Sequence, residues 1–379
     1  MTEVHGSCTA RFEPLREVFA ARLAAGEELG ASIAVVVDGA TEVDLWGGWA
    51  NPERTREWTE DTITNVWSST KTMLALMALM LTDRGELDPY APVVRYWPEF
   101  GAAGKADIEV RHLLSHTSGL SGWDQPVAIE DLFDWELSTA RLAAQAPWWQ
   151  PGTASGYHAL SQGHLVGEVI RRITGQQPGA FLAEHVTGPL GADFHLGLDP
   201  AHFARVANVV PPPPLPIDLA ALGPDNVAAK TLTGPGPSAE VSWTEPWRRA
   251  DIPAANGHGN ARSIARVQSV LSHGGEVGGV RLLSPGTIER IFDRQSDGVD
   301  LVLGEPIRFG LGFGLPTPVT TAHLPDRRIC FWGGWGGSAV VNDVDRRMTV
   351  TYVMNQMQPG LLGSDNSRAY LSEAFSVIG

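Results

Sequence analysis

The order of apolar and polar positions along the chain predicts a sheet that starts with a hairpin and is followed by a long helix. Ser32 to Asp38 is a β-branched run, and a short turn separates it from a second run, Glu42 to Trp49. The apolar stretch from Ser68 to Arg84 is closed by Gly85, so it has both the start and the stop signal of a helix. The first part of the chain therefore predicts an antiparallel sheet with helices.

The pattern changes after Glu86 to helices separated by proline and glycine, and strand-like runs return near the end. The clearest helical patterns in the middle are Asp107 to Leu120, Ile129 to Gln145 and Ser161 to Thr174. The later strand-like runs and helices are Phe309 to Leu315, Ile329 to Phe331, Ser338 to Asn342, Met348 to Met354, Ala261 to His273 and Ser367 to Val377. We therefore expect residues 1–85 and 252–379 to form an α/β subdomain, and residues 86–251 a helical subdomain.

Residues 209–253 form a proline-rich segment that includes Pro211 to Pro214. Proline cannot donate a backbone hydrogen bond, so the segment cannot pair into the centre of a sheet. We expect it to wrap the surface or roof a pocket and so to shape substrate entry.

The charge and the cysteine content limit the partners and the compartment. A formal net charge of −15 argues against a nucleic acid or an anionic membrane as partner. The two cysteines, Cys8 and Cys330, offer neither a disulfide framework nor a metal-ligand spacing. No signal peptide is visible, and the longest apolar run, Met73 to Leu81, is about half the length that crosses a bilayer. We expect a cytoplasmic protein that acts on a small molecule; the sequence does not specify its oligomeric state.

Ser68 is followed three residues later by Lys71, at the opening of the apolar helix. Residues at this spacing share a helix face, and a helix N-terminus favours developing negative charge. Serine is a poor nucleophile without a base, and lysine becomes that base only when burial lowers its pKa. The apolar neighbours Val66 and Trp67 provide such a setting. The alternative interpretation is an N-capping serine with a solvated lysine.

Two later segments complete a candidate site. The turn-rich loop Pro151 to Tyr157 delivers a tyrosine that could pass a proton between Lys71, Ser68 and a leaving group, if nearby cations keep its phenol acidic. The alternative is an amphipathic plug. In the glycine-rich segment FWGGWGGS, the backbone N–H of Trp335, together with that of Ser68, would form an oxyanion hole; the alternative is a bulge. The residues of this segment expected to contact substrate are Trp332, Gly333, Gly334 and Trp335.

Taken in order, these three elements resemble the serine β-lactamase and penicillin-binding-protein superfamily, with its S-x-x-K, tyrosine and K-T-G motifs. Further stretches similar to the same group are Leu113 to Leu120, Asn256 to Arg262 and Gly275 to Leu283. The closest likeness is to the class C β-lactamase-like carboxylesterases, called family VIII, in which the third motif begins with Trp or His. Here this motif is Trp332-Gly333-Gly334.

The resemblance implies an α/β (α+β) fold of the β-lactamase/DD-peptidase type, with an antiparallel sheet flanked by helices and a mostly helical subdomain. It also implies that Ser68 is the acylated nucleophile, that Lys71 and Tyr157 are its acid–base partners, and that neither a metal nor a cofactor is needed. The expected enzyme is a serine hydrolase of the carboxylesterase type.

Two departures from the superfamily bear on the substrate. Trp332 replaces the lysine that helps β-lactamases hold a carboxylate, and Tyr157-His158-Ala159 lacks the asparagine of the Tyr-x-Asn motif. Both changes disfavour β-lactams and favour a small, fairly apolar ester, in a pocket edged by tryptophans. Besides Trp332 and Trp335, the candidates for this edge are Trp123, Trp148, Trp243 and Trp247. An acyltransferase, a β-lactamase- or peptidase-like amide hydrolase and a noncatalytic scaffold remain alternatives.

Other catalytic classes find little support in the sequence. The chain has no G-x-S-x-G elbow, which argues against an α/β-hydrolase, and no H-E-x-x-H motif of a metal hydrolase. We expect His116 to be a structural hydrogen-bonding residue rather than a base.

Overall fold

The computed structural model describes residues 3–214, 219–236, 238–361 and 363–378. Its strands are β1 Val4–Cys8, β2 Gly30–Val37, β3 Ala40–Gly48, β4 Ile63–Asn65, β5 Val206–Ala207, β6 His258–Gly259, β7 Glu276–Val277, β8 Val280–Arg281, β9 Ser296–Val299, β10 Pro306–Phe309, β11 Gly314–Leu315, β12 Ile329–Gly333, β13 Ala339–Asp343 and β14 Met348–Met354. Its α-helices are α1 Glu13–Ala25, α2 Lys71–Asp83, α3 Val110–Leu114, α4 Trp135–Ala144, α5 Ser161–Thr174, α6 Pro178–Leu182, α7 Gly188–Leu190, α8 Val227–Thr233, α9 Glu245–Arg249, α10 Ala261–Ser272, α11 Pro285–Glu289 and α12 Asp365–Ile378.

The main sheet has the strand order β1-β3-β2-β14-β13-β12-β11-β10-β9, and every neighbouring pair is antiparallel. The predicted hairpin is confirmed as β2 and β3. Strand β1 was not predicted, because its mostly exposed residues carry no apolar alternation. An antiparallel sheet flanked by helices is thus the observed architecture, as the sequence predicts. A second, small sheet joins β4 to β5 and β6.

Helices cover both faces of the main sheet. Successive residues of a strand point to opposite faces, and β14 shows which helix lies on each. Thr351 donates its hydroxyl hydrogen to the carbonyl of Ala261 in α10, 2.8 Å away. The ring of its neighbour Tyr352 packs against Tyr370 in α12, with 5.0 Å between the ring centroids. The sheet is therefore enclosed between α10 on one side and α12 on the other.

Several predicted elements have different bounds in the structure. The helix expected from Ser68 starts as a 3-10 turn, Trp67–Thr70, and becomes α-helical only at Lys71. The helix expected over Asp107 to Leu120 is limited to α3, because His116 has a φ of +61° that no continuing helix allows. The strand expected over Phe309 to Leu315 is split into β10 and β11 by a turn in which Gly312 has a φ of +86°.

The described residues of the proline-rich segment lie outside the main sheet, as predicted. Val210 donates its N–H to the carbonyl of Asn355 at 2.6 Å and forms an isolated bridge with Gln356, just beyond β14. Residues 215–218 and 237 of this segment lie outside the described residues. The division into an α/β and a helical subdomain stays a prediction. In the described ranges, no helix combines the length and the apolar composition that crossing a bilayer requires.

The carboxylate of Glu28 connects α12 to the sheet. Its Oε1 accepts hydrogen bonds from the hydroxyls of Tyr352 at 2.6 Å and Tyr370 at 3.0 Å, and from the side-chain amide of Asn366 at 2.8 Å. Burial raises the pKa of Glu28 to about 7, and these hydrogen bonds only partly oppose that shift. The folded state therefore binds a proton here more tightly than the unfolded chain does.

We predict that the stability of Glu28→Gln, relative to that of the wild type, increases as pH rises. The contribution of protonated Glu28 to stability is complete below the unfolded pKa of about 4.5 and is lost as pH rises through about 7. The neutral amide does not titrate, so the variant lacks this loss. Thermal unfolding of both proteins across this range should show the difference in Tm, variant minus wild type, increasing with pH. A constant difference would contradict the prediction.

Candidate active site

The amine of Lys71 is the most constrained group at the predicted site. Its Nζ lies 2.7 Å from the carbonyl oxygen of Ala159, 2.9 Å from that of Ala254 and 3.1 Å from Oγ of Ser68. Burial lowers the pKa of Lys71 well below its usual value, so a neutral amine is favoured. A neutral amine has two N–H donors, and both carbonyls can only accept. Its lone pair is therefore left to face the hydroxyl of Ser68.

Ser68 lies in the 3-10 turn that precedes α2 and is half-buried. The preceding residue, Trp67, has a φ of +49°, an uncommon conformation for a residue with a bulky side chain. Ser69 points elsewhere, because its buried Oγ lies 2.9 Å from Oγ of Ser338. The structure thus separates the two serines: of the pair, Ser68 alone contacts the amine of Lys71.

Tyr157 lies against the same amine, with Lys71 Nζ 4.8 Å from the ring centroid. The indole N–H of Trp332 donates to its phenol oxygen at 3.2 Å. Burial raises the pKa of Tyr157 to about 12, although hydrogen bonds with Ser68 and Trp332 oppose the shift. The condition set for its role, a phenol kept acidic by nearby cations, is not met, because burial outweighs those bonds and also favours the neutral form of the nearby amine. At neutral pH the phenol carries its proton.

The glycines at the end of β12 bring that strand close to the 3-10 turn that carries Ser68. A Cβ on Gly334 would lie 2.3 Å from the carbonyl oxygen of Val66, so only glycine fits between them. Trp335 follows in a turn, and in the described part of the chain its backbone N–H donates to no carbonyl. The contact that requires glycine at this position is thus one within the protein itself. An oxyanion hole formed by Trp335 and Ser68 stays a prediction.

The tryptophans expected to edge a pocket fall into two groups in the structure. Trp332 is buried, and it joins an apolar group that we name the tyrosine cluster: Tyr157, Val302, Ile307, Phe309 and Trp332. Trp335 is half-buried and packs on Trp67, with ring centroids 5.0 Å apart. The indole N–H groups of the other four donate to protein oxygens: Trp123 to the carbonyl of Ser138, Trp148 to the carboxylate of Asp124, Trp243 to the carbonyl of Val209 and Trp247 to the side-chain oxygen of Asn65.

Two contributors to the site were not predicted from the sequence. The carbonyls of Ala159 and Ala254 accept hydrogen bonds from the amine, but a backbone acceptor leaves no signal in residue type.

His116 is confirmed as a structural hydrogen-bonding residue: its Nδ1 accepts the backbone N–H of His158 at 3.0 Å. Burial lowers the pKa of His116 well below its usual value, so it stays neutral.

Comparisons with known proteins point to one family. The beta-lactamase family model matches residues 15–374. The chain is 36% identical over 382 residues to the esterase/beta-lactamase LipL of Mycobacterium tuberculosis, covering 96% of this chain and 86% of LipL. The crystal structure of a family VIII carboxylesterase, 38% identical, superposes with a TM-score of 0.93 and covers 99% of this chain and 100% of its own. A penicillin-binding protein homologue from Caulobacter crescentus, 36% identical, gives a TM-score of 0.92 with 99% and 100% covered.

The chain belongs to the beta-lactamase family. Its fold is of the β-lactamase/DD-peptidase type, and the likeness to family VIII carboxylesterases expected from the third motif is confirmed. It is a serine hydrolase of the carboxylesterase type.

We predict that Trp332→Phe lowers kcat about tenfold, because the phenol loses one hydrogen bond while the ring packing remains. The measurement is ester hydrolysis by protein whose fold is checked by circular dichroism. Trp135→Phe is the matched control, since it also removes an indole hydrogen bond, the one to Glu168, outside the site. Equal kcat values for the two variants would contradict the prediction.

Proposed function

We propose that this protein hydrolyses carboxylic esters through an acyl intermediate on Ser68. The observation that supports this most directly is the hydrogen bonding of Lys71, whose two carbonyl partners use up its N–H donors. An amine held in this way accepts a proton from the hydroxyl 3.1 Å away. Serine then becomes nucleophilic without any charged base in the site.

In the acylation step, Oγ of Ser68 forms a bond to the ester carbonyl carbon as its proton moves to Nζ of Lys71. The carbonyl oxygen gains negative charge, which the backbone N–H groups of Ser68 and Trp335 stabilise. When the C–O bond to the alcohol breaks, the protonated phenol of Tyr157 supplies the leaving alkoxide with a proton, and the Lys71 ammonium restores it. Water then attacks the acyl-serine through the same groups in reverse, and Ser68 regains its proton.

The expected substrate is a small, uncharged and fairly apolar ester. Two observations support this. Trp332 fills the position of the β-lactamase lysine and donates its indole N–H to Tyr157. The other members of the tyrosine cluster are apolar. The net charge of −15 also disfavours approach by anions. We place this activity in the cytoplasm, as the cysteine content suggests.

We predict that Ser68→Ala, Lys71→Ala and Tyr157→Phe each reduce p-nitrophenyl ester cleavage by at least about 1000-fold in folded protein. Intact mass spectrometry after exposure to esters should show one acyl group on the wild type, mapped to Ser68. Ser69→Ala is the control, because the same change one residue later leaves Lys71 and its partners in place. Activity that survives Ser68→Ala would refute the assignment.

The same preparations discriminate between the alternatives. Transfer of the acyl group to an added alcohol in preference to water would favour an acyltransferase. Cleavage of nitrocefin at a rate comparable to that of esters would favour an amide hydrolase.

We predict that kcat/KM is higher for a neutral ester than for a matched ester with a carboxylate on its acyl chain. Repulsion by the protein's negative charge weakens with ionic strength, so added salt should narrow the difference. The measurement is kcat/KM for both esters at low and high salt. Equal values for the two esters at low salt would contradict the proposed preference.

A further inference from the structure

The segment that carries Tyr157 has no helix or strand of its own at residues 154–158. Three consecutive backbone N–H groups fix it instead. That of Gly156 donates to the carbonyl of His116 at 2.9 Å, and that of His158 donates to Nδ1 of the same residue at 3.0 Å. The middle one, from Tyr157 itself, donates to Oδ1 of Asp300 at 2.9 Å. The position of the phenol thus depends on two buried side chains, one of which is a carboxylate.

Asp300 belongs to none of the sequence motifs. It directly follows β9, at the start of the turn that leads to β10, and only 1% of it is exposed. The same Oδ1 also accepts the N–H groups of Val302 at 2.9 Å and Leu303 at 3.0 Å. The carboxylate therefore shapes its own turn while it holds the tyrosine segment.

The turn and the tyrosine segment are joined at a second point as well. The N–H of Leu301 donates to the carbonyl of Ser155 at 2.8 Å. Val302 belongs to the tyrosine cluster, and Leu303 packs against it. The negative charge of Asp300 also adds to burial in raising the pKa of Tyr157, which keeps the phenol protonated.

We propose that Asp300 is a positioning residue that holds Tyr157 in register with Ser68 and Lys71. It touches neither the amine nor the nucleophile, so its effect on catalysis passes through the tyrosine. This inference rests on the proposed function, in which Tyr157 protonates the leaving group. Loss of the anchor displaces the phenol without removing it, and a displacement of about 1 Å can cost about 100-fold in rate.

The test is a double-mutant cycle on an alkyl ester, whose poor leaving group depends on the proton from Tyr157. Asp300→Ala should lower kcat about 100-fold in the wild-type background and have little effect in the Tyr157→Phe background, where no phenol remains to be positioned. Asp300→Asn retains an oxygen acceptor and should restore most of kcat. Asp300→Glu keeps the charge but moves the oxygen by one methylene, so it should lose activity even if Asp300→Ala fails to fold.

Asp297→Ala is the matched control, because Asp297 lies in the same hairpin but its carboxylate faces Arg308 at 3.0 Å. Its kcat should equal that of the wild type. An equal loss of kcat from Asp300→Ala in both backgrounds would overturn the role of Asp300. Full activity of folded Asp300→Ala, or of folded Asp300→Glu, would overturn it as well. Full activity of Tyr157→Phe alone would instead contradict the proposed function of the tyrosine, and the inference would fail with it.

Discussion

The enclosure of one amine by carbonyl groups is the constraint on which the site depends. A buried ammonium is costly, which favours the neutral form of Lys71, and the carbonyls of Ala159 and Ala254 determine which way the lone pair of that neutral amine points. These carbonyls come from two segments far apart in the chain, one beside Tyr157 and one before α10. The amine is therefore the point where the segment of Tyr157, the segment that precedes α10 and the start of α2 meet.

A consequence of this burial is that the site contains few charges. Burial favours the neutral form of the amine, the phenol of Tyr157 is protonated, and Trp332 contributes an indole N–H where a β-lactamase would have a lysine. Proton transfer between neutral groups suits a low-dielectric pocket, since no step has to begin with an exposed ion pair. The same environment is unfavourable to an anionic substrate, because no cation among these groups would compensate its charge.

The alignment of strand and helix is the second requirement, and glycine meets it. Gly334 lets the end of β12 lie against the carbonyl of Val66, two residues before Ser68. Any side chain there would push the strand away and with it the N–H of Trp335. The glycine of the third motif thus sets the distance between two pieces of backbone, whereas Trp332 packs on Tyr157 and Trp335, just after the motif, packs on Trp67.

Local patterns in the sequence determined several secondary-structure elements of this protein and one spacing within its candidate site. The helix Ser161–Thr174 and the strand Met348–Met354 have the bounds that periodicity predicts, and the Ser68 to Lys71 spacing depends on a single turn of chain. Long-range partners were decided only by the tertiary structure. Lys71 meets Ala254 across 183 residues, and Tyr157 meets Asp300 across 143. Such contacts involve backbone atoms or an ordinary aspartate, so residue type gives no sign of them, and the path of the whole chain brings them together.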